Sequence, residues 1–333
     1  MRLSEQDNQL RWDGRKPGFY EVYYLKVNDP RVGIAAWLRY TLLAPQRGDP
    51  VAEIWGFFFH RNQPAENAGL KATYPWSETR VEQIPFRFAT RSAELTHAEA
   101  RGELVGGGRR LRWDLRWEPN AATVRLLPFR WMYEGPFPRT KVLSPNFDIR
   151  LSGFLEVDDR VYPLAGAPGQ QAHLWGTRHA AHWVWGHCNA FVEDAEAVFE
   201  GLSAQIQLGP LPLPMLTLFV LRLDGRMIFM NGLSAMIRNR SQAEIGVWRF
   251  AGQGPGIRIQ GEASTSLEHL VGAIYTDPDG SRRWCHNTKV GDLRLTIHQR
   301  SEGGWHRKEL TAPGTCALEW VGRTQDPRVR IWV

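Results

Sequence analysis

HLWGTRHAAHWVWGHCNAF, residues 173–191, holds three tryptophans, four histidines, a cysteine and an asparagine in nineteen positions. As a β-strand, its second half sends alternate side chains to opposite faces. Trp183, Trp185, His187, Asn189 and Phe191 then share one face, and Val184, Gly186, Cys188 and Ala190 the other. The small face admits a closely packed neighbour. The large face, aromatic with an imidazole and an amide at its tips, suits either the wall of a cavity for a large apolar ligand or a sheet core whose polar tips bond to backbone.

Working outward, Gly, Pro, Asn or Asp interrupts the chain every eight to fifteen residues, and the runs between them alternate with period two. That spacing predicts an all-β sandwich or barrel. FYEVYYLKV (19–27), IAAWLRYTLLAP (34–45) and AEIWGFFFH (52–60) read as neighbouring strands. RRLRWDLRW (109–117) puts Leu111, Trp113, Leu115 and Trp117 on one face, the pattern of a half-buried antiparallel strand. The glycines at 106–108 before it mark a hairpin turn, since no phosphate-loop pattern follows. Prolines in LPFRWMYEGPFPRTKVLSP (127–145) oppose a continuous strand or helix, and the segment is expected to wrap an end of the first half. LPLPMLTLFVLRLDGRMIFM (211–230) reads as a hairpin turning at Asp224-Gly225. In GDLRLTIHQR, Leu293, Leu295 and Ile297 face inward and Asp292 falls on the polar side in a structural role.

A length of 333 residues suits two cores better than one. Domains of 1–165 and 166–333 are expected, joined through PLAGAPG (163–169). With 43% hydrophobic and 23% charged residues the chain is not disordered. The N-terminal MRLSEQDNQLRWDGR is polar and no apolar run reaches membrane-span length, so a cytoplasmic or membrane-peripheral location is expected. The net charge of +6 comes from scattered arginines, and the strand at 183–191 carries no Lys or Arg, which argues against nucleic acid as a partner. The excess charge does suit anionic lipid headgroups. Cys188, Cys285 and Cys316 imply no disulfide framework. His179, His182 and His187 lack metal-ligand spacing, and no Gly-x-Ser-x-Gly elbow supports a serine hydrolase.

Three segments resemble the tocopherol cyclases and their bacterial relatives, in the lipocalin-like superfamily that includes carotenoid hydratase-like proteins. FYEVYYLKV is similar to the family's FEGWYFKV, LWGTRHAAHWVWGHCNAF to WG…WFWxQCNVF, and CHNTKVGDLRLTIHQR (285–300) to CxxTCxGDLxLxIxER. The resemblance implies two lipocalin-like antiparallel β-barrels in one chain. Val22 and Tyr23 stand where the family has Gly-Trp, His187 where it has glutamine, and Lys289 where it has a second cysteine.

The family's chemistry is protonation of an alkene, then capture of the tertiary carbocation by a phenol oxygen to give a cyclic ether, with no cofactor. This implies a prenylated aromatic, isoprenoid or similar lipophilic substrate. Such a site needs a proton donor, a dry cavity and aromatic faces for developing positive charge. Glu21, sharing a strand face with Phe19, Tyr23, Leu25 and Val27, is the candidate catalytic acid; apolar neighbours would keep it protonated, whereas an arginine partner would do the reverse. Trp175, Trp183 and Trp185 are the expected cation-stabilising wall, and His187 and Asn189 the groups orienting a polar head. Tyr23, His173 and Phe191 complete the expected substrate contacts, and Cys188 is expected to pack away from them. A non-catalytic isoprenoid or lipid carrier, and a hydratase or isomerase of the same fold, are the competing readings.

Overall fold

A computed structural model describes residues 3–208 and 211–333. Two antiparallel sheets dominate it, one of twelve strands within residues 19–176 and one of ten within 182–322. In the first, Phe19–Asp29 lies between Ile34–Ala44 and Arg160–Gly176, and the sheet curls until Ala68–Pro75 packs across Glu99–Gly106 and Arg109–Trp117. Leu70, Leu104 and Leu111 meet in the resulting core. The second sheet curls likewise, bringing Arg226–Met230 onto Val247–Gly254. Each half is therefore a lipocalin-like antiparallel barrel, as the family resemblance implies and in keeping with the all-β sandwich or barrel read from the alternating pattern.

The tight turns follow the glycine signals. Gly107 and Gly108, with φ of 56° and 75°, join Glu99–Gly106 to Arg109–Trp117, and Asp224-Gly225, with φ of 49° and 72°, joins Leu216–Leu223 to Arg226–Met230. Leu111, Trp113, Leu115 and Trp117 are buried while Arg112 and Arg116 are exposed. Asp292 is structural: it pairs with Arg61 at 2.8 Å and accepts from Gly314 N at 2.7 Å.

Two expectations need correction. PLAGAPG is not a linker but part of the seventeen-residue strand Arg160–Gly176, and the crossover between sheets falls at 177–181. Its prolines are tolerated because pairing with the first strand begins only at Gly169, which leaves one edge of 160–168 unpaired. Of the proline-rich 127–145 segment, 140–145 belongs to the long strand Thr140–Val157 despite Pro145, and 127–139, with a short helix at Trp131–Glu134, covers the junction of the two barrels rather than an end of the first.

A third apolar cluster lies between the barrels, including Tyr24, Trp37, Trp55, Phe57, Trp185, Tyr275 and Val321. The central strands thus have two interiors. Phe19–Asp29 buries Tyr23 and Leu25 in the first barrel's core and Tyr24 in the cluster between barrels. His182–Cys188 buries Val184 and Cys188 in the second core and Trp185 in the shared cluster.

Candidate functional site

Between the barrels lies a largely apolar cavity of about 440 Å³. At one end its wall carries Tyr24, Trp37, Trp183, Trp185 and Tyr275; toward the other stand Leu126, Leu202, Leu218 and Met236. The 127–139 segment contributes Trp131, Met132, Phe137 and Pro138. These residues converge because alternation turns the even-numbered side chains of the first strand and the odd-numbered ones of His182–Cys188 toward each other across the junction.

Few charged groups reach this space. Glu319 lines it and accepts a 3.2 Å hydrogen bond from Lys289 Nζ, itself fully buried 5.0 Å from the Trp37 ring centroid and 5.6 Å from that of Trp185. Burial lowers the Lys289 pKa, against the pull of Glu319. Behind Trp185, Glu200 accepts from Trp185 Nε1 at 2.9 Å and Gln170 Nε2 at 3.2 Å, while its Oε2 has no partner. Burial pushes its carboxyl up to about 7. Lys26, on the cavity-side face of the first strand, is buried without a partner for Nζ, and desolvation brings it down to about 8.

Of the expected contacts, Trp183 and Trp185 line the cavity, and Cys188 points into the second core as anticipated. His187 and Asn189 lie in the barrel junction but outside the cavity wall. His187 stacks on Trp185 with ring centroids 6.4 Å apart, and its Nε2 donates to Phe147 O at 3.1 Å; burial and Lys26 hold its pKa well below the usual imidazole value. Asn189 Nδ2 donates to Asp148 Oδ1 at 2.6 Å and Gly169 O at 2.9 Å. Phe191 is in the second core, because the strand ends at Cys188 and its alternation does not carry on to residue 191.

Glu21 is displaced from the expected cavity wall, since it occupies the strand face opposite Val22 and Tyr24. Its surroundings are not apolar: Oε1 accepts from Arg11 N at 2.8 Å, Tyr23 OH at 3.0 Å and His173 Nε2 at 2.8 Å, and Oε2 accepts from Trp12 N at 3.1 Å. The other imidazole nitrogen, Nδ1 of His173, donates to the Asp7 carbonyl at 2.6 Å. Tyr23 stacks on His173 at 4.3 Å, and Trp175 lies beside it at 4.9 Å. Glu21, Tyr23, His173 and Trp175 are thus brought together, apart from the cavity and beneath the N-terminal segment.

The residues missed from sequence are Tyr24, Trp37, Arg39, Glu200, Tyr275 and Glu319. Glu200 carried a usable signal, a carboxyl on one strand face between Val198 and Leu202. Among the described residues no group of three or more His, Cys, Asp or Glu side chains could hold a metal ion, and His179 instead bonds Asp277 at 2.6 Å. No helix among the described residues is long and apolar enough to cross a membrane.

The family model described as tocopherol cyclase-like matches residues 86–322, well over half of the chain. The chain belongs to the tocopherol cyclase-like family. The matched region includes the Trp183–Trp185 strand, Glu200, Lys289 and Glu319, whereas FYEVYYLKV precedes it. Uncharacterized protein MT0513 of Mycobacterium tuberculosis is 27% identical over 312 residues, covering 92% of this chain and 90% of its own. A putative AttH from Nitrosomonas europaea shares the fold with a TM-score of 0.58 at 13% identity, over 96% of both chains. Kievitone hydratase from Nectria haematococca does so at 0.56 and 10% identity, over 97% of this chain and 93% of its own.

Proposed function

We propose that this protein is a cyclase of prenylated aromatic substrates, protonating an alkene and closing a phenol oxygen onto the resulting tertiary carbocation. The observation that carries this reading is the cavity between the barrels, with five aromatic side chains at one end and one carboxyl, Glu319, in its wall. Glu319 replaces Glu21 as the proton donor because it borders the cavity. It accepts a hydrogen bond from Lys289 Nζ at 3.2 Å, and burial of Lys289 weakens the amine's hold on its proton, which passes through Glu319. The carboxyl delivers the proton to the alkene, so that a C–H bond forms as the π bond breaks. The faces of Trp37, Trp183, Trp185, Tyr24 and Tyr275 stabilise the cation. The phenol oxygen then forms the C–O bond and its proton returns to Glu319. The sequence is a net isomerisation and consumes no co-reactant.

The apolar lining favours intramolecular capture by excluding water, and Leu126, Leu202, Leu218 and Met236 accommodate the isoprenoid chain. The test is incubation of the purified protein with a geranylated hydroquinone in detergent micelles, with products read by mass spectrometry. A cyclic ether of unchanged mass is expected, and Glu319→Gln should reduce its rate by roughly a hundredfold or more, the scale of losing a general acid, while ligand binding persists. Binding without conversion by the wild type would make the protein a carrier, and uptake of oxygen from heavy-oxygen water would make it a hydratase.

A further inference from the structure

Arg39 borders the cavity yet is 95% buried, with a relative exposure of 5%. Its guanidinium carbon lies 4.4 Å from the Tyr275 ring centroid and 4.9 Å from that of Trp55, so rings hold the group in place. Among the described residues its side chain makes one hydrogen bond, from Nε to Thr41 Oγ1 at 3.0 Å, and no carboxylate is within ion-pair distance. The surrounding acids are engaged elsewhere: Glu319 with Lys289 at 3.2 Å, Asp277 with His179 at 2.6 Å, and Glu53 with Lys71 at 2.7 Å. Both terminal nitrogens therefore lack a protein partner at the edge of an apolar chamber. A guanidinium placed in this way has its two terminal nitrogens free to donate to an anion that enters the chamber.

We propose that Arg39 anchors a carboxylate of the substrate, which makes the preferred ligand a prenylated aromatic with an acidic head, bound more tightly than its neutral counterparts. A guanidinium presents a planar fork of N–H groups that matches a carboxylate with two parallel hydrogen bonds. Its immobilised plane reduces the ordering needed on binding. The carboxylate seats the aromatic head at the Trp37–Tyr275 end and leaves the prenyl chain directed along the leucine-lined remainder. This inference rests on the cavity being the substrate site.

The probes are a para-hydroxybenzoate geranylated ortho to its hydroxyl and the methyl ester of the same compound, with binding followed by tryptophan fluorescence and calorimetry. Wild-type protein should bind the acid at least about tenfold tighter than the ester, the scale of a desolvated charge-assisted pair. Arg39→Gln should bring the ratio close to one while leaving the ester's affinity within about twofold, and Arg39→Lys, with charge but no fork, should give an intermediate ratio. Equal binding of acid and ester by the wild type would overturn the carboxylate anchor and leave the cavity reading standing; this comparison needs no variant to fold. A preference that survives in Arg39→Gln would also overturn it. Failure of both probes to bind the wild type would refute the cavity reading and the anchor together.

Discussion

Replacing Glu21 by Gln separates a structural anchor from a catalytic acid. In the wild type the carboxylate collects donors from Arg11 N, Trp12 N, Tyr23 OH and His173 Nε2, all at 2.8–3.1 Å and in a fully buried setting. An amide turns one of the two acceptor oxygens into a donor. With the amide nitrogen in place of Oε2, Trp12 N–H faces another donor and loses its acceptor, which costs about 1–3 kcal/mol. The bonds that remain lose their charge assistance, and the total reaches roughly 3–5 kcal/mol, the range for breaking a buried charged pair. For a chain of this size that is a fall in Tm of roughly 4–7 °C. The assay is thermal unfolding of both proteins by circular dichroism, with turnover of a geranylated hydroquinone measured well below both midpoints. The anchor role predicts a large loss of stability with turnover retained within a few-fold. An unchanged Tm, or a hundredfold loss of turnover in a folded variant, would refute it and return Glu21 to the chemistry.

Glu200 has a folded pKa of about 7 against an ordinary value of 4.5, so the folded state binds the extra proton. Its stabilising contribution is full below the unfolded value and is lost as pH rises through about 7, a change on the order of 3 kcal/mol. Glu200→Gln should accordingly raise Tm relative to wild type at pH about 8 but not at about 5; a difference independent of pH would contradict the assignment. A Cβ at Gly201 would lie 2.7 Å from the Trp248 ring and 2.9 Å from the rings of Phe199 and Phe219. Gly201→Ala should therefore lower stability by about 1–3 kcal/mol in chemical denaturation, and a neutral result would show that the aromatic core yields.

The fold was legible because the barrel interiors obey period-two alternation, as Leu111 to Trp117 and Leu293 to Ile297 illustrate. The site was harder to read where a strand has two interiors. In FYEVYYLKV every residue from Tyr20 onward is buried, so hydrophobicity does not distinguish the face bearing Glu21 and Tyr23 from the one bearing Val22 and Tyr24. Choosing the odd-numbered face led away from the cavity. The strand at His182–Cys188 was readable because its small face, Gly186 and Cys188, differs sharply from its large one. Glu21 was misplaced for another reason: its donors come from Arg11 and Trp12, in a segment whose path no strand pattern predicts. Tyr275 and Glu319 come from distant strands, and only the barrel-to-barrel packing brings them beside Trp185.

The space proposed for substrate belongs to neither barrel. Each barrel has its own core of buried side chains, so neither core has to be reshaped to admit a differently sized guest. The chamber's dimensions follow from the spacing of the two barrels and from the pieces that roof it, the 177–181 crossover and the proline-rich 127–139 segment. Those pieces can lengthen, shorten or change composition while the load-carrying sheets stay as they are. New substrate ranges can thus be reached by drift in two short connecting stretches, with little risk to foldability.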